Sequence, residues 1–259
     1  MKFLLNKIFN LQNMNINISK TYEEMSRQAA NDLLDFLSSV QDPLLCTASG
    51  DSPKGLYREL IKRIHEKDMD ILDWKFLSLD EWSGMNESDE GSCRFHLNNY
   101  LFNPLNLEKD QITFFDGKAQ KPQEECERIE KFIRENGGID ISVIGLGLNG
   151  HVGMNEPGTS ATSRTHVAEI HPVTQQAGQK YFNDERSLTH GLTLGVQTLM
   201  GSKFIMLLVS GKKKAEMVRK VVEEEITNEV PASFLKNHPN FYLYLDLEAS
   251  SNLQLMKDV

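Results

Sequence analysis

His151 stands at the end of a glycine-rich turn, Gly145-Leu146-Gly147-Leu148-Asn149-Gly150, and Glu156 follows shortly after it. An imidazole with a nearby carboxylate is a proton-transfer pair: the ring titrates near neutrality, and the acid orients it and holds its charge. Two more acids, Asp80 and Glu81, precede Trp82 at the end of an apolar run. Adjacent loop acids are most often simply solvated. A buried one becomes a general base, because burial lifts its pKa toward the working range. Ser49-Gly50-Asp51-Ser52-Pro53 carries a different chemistry, since hydroxyls and a glycine ahead of a helix make an anion cradle. The bland alternative is a capped helix start. Lys212, Lys213 and Lys214 follow Ser210-Gly211 and open a helix against its dipole, a conflict that a bound phosphate would relieve.

Other chemistries lose ground on spacing. The turn at 145–150 fits G-x-G-x-x-G, but a dinucleotide site needs a helix to open there. The next residues, His151 to Gly158, hold two glycines and a proline and make a poor helix. No G-x-x-x-x-G-K-[ST], H-E-x-x-H or G-x-S-x-G occurs, so no nucleotide, metal or serine-hydrolase site is expected.

Helical spacing marks residues 22–37, a stretch from Ser52 (N-cap) and Pro53, residues 122–135, and a stretch from Lys212. Strand-like runs lie at 44–48, 75–79, 112–114, 139–144, 191–195, 203–209 and 241–245. Apolar strands alternating with helices predict a doubly wound, mostly parallel α/β sheet with helices on both faces, Rossmann-like in plan. Such sheets bind ligands beyond the carboxyl ends of their strands, which is where 49–53, 80–82, 145–156 and 210–214 fall.

The chain has 259 residues and a formal charge of −9, with 28 Lys+Arg against 37 Asp+Glu. That suits a soluble globular protein and disfavours nucleic acid or an anionic membrane as partner. Three scattered cysteines, without C-x-x-C, suit a reduced, cytoplasmic chain. The first eighteen residues are too polar for a signal peptide and too short to span a membrane. They are expected to form an N-terminal extension, with residues 19–259 as one domain.

The motifs Leu79-Asp80-Glu81-Trp82, G-L-G-L-N-G-His151, Asn155-Glu156-Pro157-Gly158 and Ser163-Arg164-Thr165 occur in that order. Together they resemble the glucosamine-6-phosphate deaminase/isomerase family, over roughly residues 20–245. Asp-Glu-Trp, Gly137-Gly138-Ile139-Asp140 and Pro231-Ala232-Ser233-Phe234-Leu235 are most similar to its galactosamine-6-phosphate isomerases. The sister 6-phosphogluconolactonases share the glycine turn but continue toward T-A-S-L-F-P, where this chain has Asn-Glu-Pro.

The resemblance implies deamination with aldose–ketose isomerisation of an amino-sugar 6-phosphate, without metal or cofactor. Galactosamine 6-phosphate, giving tagatose 6-phosphate, is the expected substrate, and glucosamine 6-phosphate the alternative. More distant readings are lactone hydrolysis and a sugar-phosphate sensor without catalysis. Asp80 is implied as the C2/C1 proton carrier. His151 is implied to open the ring, with Glu156 as partner and Asn149 where some members carry aspartate. Ser49, Gly50, Asp51, Ser52, Glu81, Gly147, Lys214 and Lys180 are expected to bind substrate, Lys180 standing near a family arginine. Residues 158–190 are expected to form a lid. A homo-oligomer is compatible with the chain.

Overall fold

The computed structural model describes residues 7–11 and 14–256. Its main sheet runs β1 (Lys7–Leu11), β2 (Met14–Ser19), β11 (Phe241–Asp246), β10 (Phe204–Val209), β7 (Ile141–Gly145), β3 (Leu44–Thr47), β4 (Lys75–Ser78), β6 (Ile112–Thr113). All neighbours pair parallel except β1 with β2.

Side chains alternate across the sheet. Ile205, Leu207 and Val209 of β10 pack with α4 (Pro122–Glu135), α6 (Val196–Met200) and α7 (Ala215–Glu223). Met206 and Leu208 face α1 (Tyr22–Leu37) and α2 (Asp51–Lys67). Strands buried on both faces are those of a doubly wound sheet, as the uninterrupted apolar runs predict.

Two expectations change. Met14–Ser19 is not outside the domain: Met14, Ile16 and Ile18 are buried, and the strand pairs with β11 from Met14↔Phe241 to Ser19↔Asp246. Its alternating asparagines read as polar chain, yet alternation is what a strand with one core-packed face requires. The run near 191–195 is also not in the parallel sheet. β9 (His190–Thr193) joins β5 (Asp80–Trp82) and β8 (His166–Glu169) in a separate antiparallel sheet of order β5-β9-β8. The segment expected as a lid is therefore pinned by β8 in its middle. What projects is the arm between β8 and β9, carrying α5 (Pro172–Gly178). Beneath this arm Trp82, Met85, Met154, Ile170 and Leu188 form a small apolar cluster.

Candidate active site

The strand ends named above converge at the carboxyl edge of the main sheet. β3 and β7 are neighbours there, although the chain leaves them in opposite directions. This is the switch point where such folds open a crevice.

At one end of the crevice is the turn 49–53. Helix α2 begins at Asp51, with Gly50 as its N-cap and no side-chain cap, so Ser52 is not the cap that the sequence suggests. The first N–H groups of this long helix are left for another acceptor. Two tyrosines from behind fix the turn. The Tyr57 hydroxyl donates to the Ala48 carbonyl and accepts from its N–H, both at 3.0 Å. The Tyr22 hydroxyl accepts from Gly55 N–H at 2.6 Å and donates to the Asp51 carbonyl at 2.8 Å. Ser52 is buried, with its hydroxyl 3.3 Å from that of Ser210, which opens the 210–214 turn.

Beyond Ser210, Gly211 takes φ +85°, and its N–H bonds the Asp246 carboxylate. Lys212–Lys214 form one 3-10 turn there, and Lys214 is set against the site. Burial lowers Lys214 to about 8; Lys180 pushes the same way, and Asp51 opposes them. Lys180 meets the Asp51 carboxylate at 2.5 Å in an exposed pair. The acceptor-only Asp51 side chain is thus a countercharge to Lys180 rather than a ligand for an anion. Only its backbone N–H could face one.

The other end is drier. Asp80 is 9% exposed, on the strand that continues β4. Burial raises its pKa to about 6, against the opposing pull of Cys93 and His151. Burial likewise keeps the Cys93 thiol protonated, well above its usual range. A weak S–H donor therefore faces the Asp80 carboxyl, a neighbour that sequence reading missed.

Glu81 is not a substrate ligand. Its carboxylate accepts the N–H groups of Trp82 (2.8 Å), Cys93 (2.9 Å) and Arg94 (2.9 Å). It shares with Ser92 the task of capping α3 (Cys93–Leu97). Of the two adjacent acids, one is structural and the other is free to act.

His151 lies across the mouth from Asp80. Its imidazole occupies the space where a Gly147 side chain would be: a Cβ there would lie 2.2–2.4 Å from the ring. Gly147 is accordingly required by His151, whatever a ligand adds. Gly150, at φ +90° and hemmed in by Met217 and Val230, closes the same turn.

His151 Nδ1 is 2.7 Å from Asn149 Oδ1, 3.0 Å from Thr174 Oγ1 and 3.6 Å from Glu156 Oε2. Asn149 Nδ2 donates to Glu156 Oε2 at 2.7 Å. Since a carboxylate only accepts, the Asn149 amide must turn its oxygen to the histidine. Nδ1 then carries the proton, and Nε2 is left with a lone pair. Burial alone would raise Glu156; His151, Thr174 and Asn149 outweigh it and hold the acid ionised. Asn155 anchors the segment by donating to the Val152 and Leu194 carbonyls, both at 2.8 Å.

The chain matches the family model described as glucosamine-6-phosphate isomerases/6-phosphogluconolactonase over residues 18–243. The chain belongs to this family. Among its curated relatives, glucosamine-6-phosphate deaminase 1 of Bacillus subtilis (strain 168) is 38% identical over 90% of this chain and 96% of its own. The glucosamine-6-phosphate deaminase of Clostridium botulinum (strain Kyoto / Type A2) is 35% identical over 93% and 100%. A solved monomeric glucosamine-6-phosphate deaminase superposes with TM-score 0.88, at 38% identity, over 91% of this chain and 98% of that one. The 6-phosphogluconolactonase of Trypanosoma brucei, at 18% identity and TM-score 0.72, shares the fold.

The crevice thus brings together a buried carboxyl, an imidazole tied to a carboxylate, and a helix start without a side-chain cap. Among the described residues, no three His, Cys, Asp or Glu side chains converge to hold a metal ion.

Proposed function

We propose that glucosamine 6-phosphate is the substrate of this amino-sugar-6-phosphate isomerase/deaminase, and that it leaves as fructose 6-phosphate and ammonia. One observation carries the chemistry: a buried Asp80, poised near pH 6, stands across the crevice from a histidine whose Nε2 is free. His151 accepts the ring hydroxyl proton and opens the sugar. Asp80 removes the proton from C2 and returns it to C1, which converts the aldose amine into a ketose imine. Water adds to that imine, and ammonia leaves. The phosphate is held by the N–H groups at the start of α2, the Ser49 and Ser52 hydroxyls and Lys214. Gly50 supports this reading, because its φ of −68° and open surroundings do not themselves demand glycine. A close ligand would.

The names of the relatives support the gluco sugar over the galacto sugar expected from the sequence. The two differ at C4 alone. The deciding experiment measures ammonia release from both amino-sugar 6-phosphates, with Asp80→Asn as control. A kcat/KM higher for the gluco sugar is expected. A preference for the galacto sugar restores the first expectation, and hydrolysis of a sugar lactone without ammonia release defeats both.

A further inference from the structure

The arm between β8 and β9 places one buried polar side chain in the proton-transfer cluster. Thr174, in α5, is 8% exposed, and its hydroxyl lies 3.0 Å from His151 Nδ1. In the same cluster Glu156 Oε1 is buried without a hydrogen-bond partner, and Thr174 is among the groups that hold the Glu156 pKa down. Neither local spacing nor motif marks it. It follows Pro172 in a short helix that His171 caps by accepting from Val173 N–H at 3.2 Å.

We propose that Thr174 is a positioning residue that holds His151 in its Nδ1–H tautomer by bridging the imidazole to Glu156. The argument is one of donors and acceptors. Glu156 and His151 Nδ1 are too far apart, at 3.6 Å, for a direct strong bond. Two neutral groups fill the gap. The Asn149 amide gives its N–H to Glu156 and its oxygen to Nδ1. The Thr174 hydroxyl offers a lone pair to Nδ1–H at 3.0 Å, which leaves its proton for the unpartnered Glu156 Oε1. Both bridges favour the same tautomer, and both transmit the Glu156 charge without moving a proton.

They differ in what carries them. Asn149 sits on the same turn as His151, whereas Thr174 comes from the arm. The histidine is therefore fully oriented only when the arm is docked. The charged or titratable groups facing this cluster are Glu156, His151 and, from β5, Asp80.

This inference rests on the acid/base role proposed above for His151, so the test has a readout apart from turnover. Nitrogen-15 long-range correlation spectra would identify the His151 tautomer, assigned by loss of its signals in His151→Gln. The wild type should show Nδ1–H. Thr174→Val keeps the shape and removes the hydroxyl. It should mix the tautomers, lower kcat by about 10- to 100-fold with little change in KM, and move the acid limb of the rate profile upward as Glu156 loses a donor. Thr174→Ser restores the hydroxyl without the methyl and should rescue all three.

A wild-type imidazole spectrum in Thr174→Val overturns the inference whatever the turnover, as does unchanged kcat. Equal impairment of the serine and valine variants overturns it too, because it marks a packing role for the methyl group. Should neither sugar be deaminated by the wild type while the tautomer responds as stated, the substrate reading fails and the positioning role stands.

Discussion

The two ends of the crevice handle charge in opposite ways. Around Asp80, His151 and Glu156 the protein is nearly closed, and the groups between the charges are neutral: an amide, a hydroxyl and a thiol. Around Ser49–Ser52 and Lys214 it is half-open, and backbone dipoles and lysines do the work, with Asp51 and Lys180 paired in solvent. The dry end shifts protonation by withholding water. In the proposed reading, the wet end holds an anion by pointing donors at it. Damage at the first should therefore appear in kcat, and damage at the second in KM.

The largest break in this division is Asp80→Asn. Loss of the proton carrier should lower kcat by at least about 10²–10⁴-fold while KM stays near wild type, as read by ammonia release. The same variant should be more stable. A native carboxyl at about 6, against an ordinary value of 3.8, binds its proton more tightly than the unfolded chain does. Its favourable contribution is full below about pH 4 and is lost as pH rises through about 6. At pH 8 the asparagine variant should thus gain up to about 2–3 kcal/mol in denaturant melts, and at pH 4 nothing. Equal stability at both pH values would show that Asp80 is solvated.

Next in size is Lys214→Met. It should raise KM by about 10- to 100-fold and change kcat little, since a charge-assisted bond to phosphate contributes about 1.5–3 kcal/mol. In the wild type, KM should climb above about pH 8, where burial lets Lys214 lose its proton. A flat KM from pH 7 to 9.5 would place the lysine outside the phosphate site.

Glu81→Gln probes the boundary between structure and chemistry. It keeps one acceptor oxygen but turns an amide NH2 toward three N–H donors. Above about pH 7, to which burial raises Glu81, it also loses the charge. We expect a loss of about 1–3 kcal/mol of stability, with a smaller fall in kcat than Asp80→Asn gives. The smallest effect belongs to the exposed Lys180–Asp51 pair. A double-mutant cycle on KM should return a coupling of about 0.2–1 kcal/mol. A larger value would draw this pair into the dry end's kind of energetics.

The ends also differ in how far the sequence discloses them. Asp80, His151, Glu156 and Asn149 are legible because short motifs at strand ends carry them. The turns at 49–53 and 210–214 are legible because strand, glycine and helix follow in order. Glu81 misleads because it neighbours Asp80, and adjacency along a strand sends successive side chains to opposite faces. Thr174 and Cys93 are invisible because distant segments deliver them. The antiparallel sheet β5-β9-β8 is assembled from three separated pieces of chain, so no local period announces it. Met14–Ser19 does not read as a strand because its asparagines mask the alternation of Met14, Ile16 and Ile18, which join the core beside β11.

That strand has a consequence for synthesis. Met14 pairs with Phe241, more than two hundred residues further along the chain. One edge of β2 stays without its parallel partner until all the residues between them have been made. Pairings so remote in sequence form slowly, and an unpaired edge invites other chains. Closure of the sheet is thus a late event in synthesis, and the interval before it is when this edge is most exposed to aggregation.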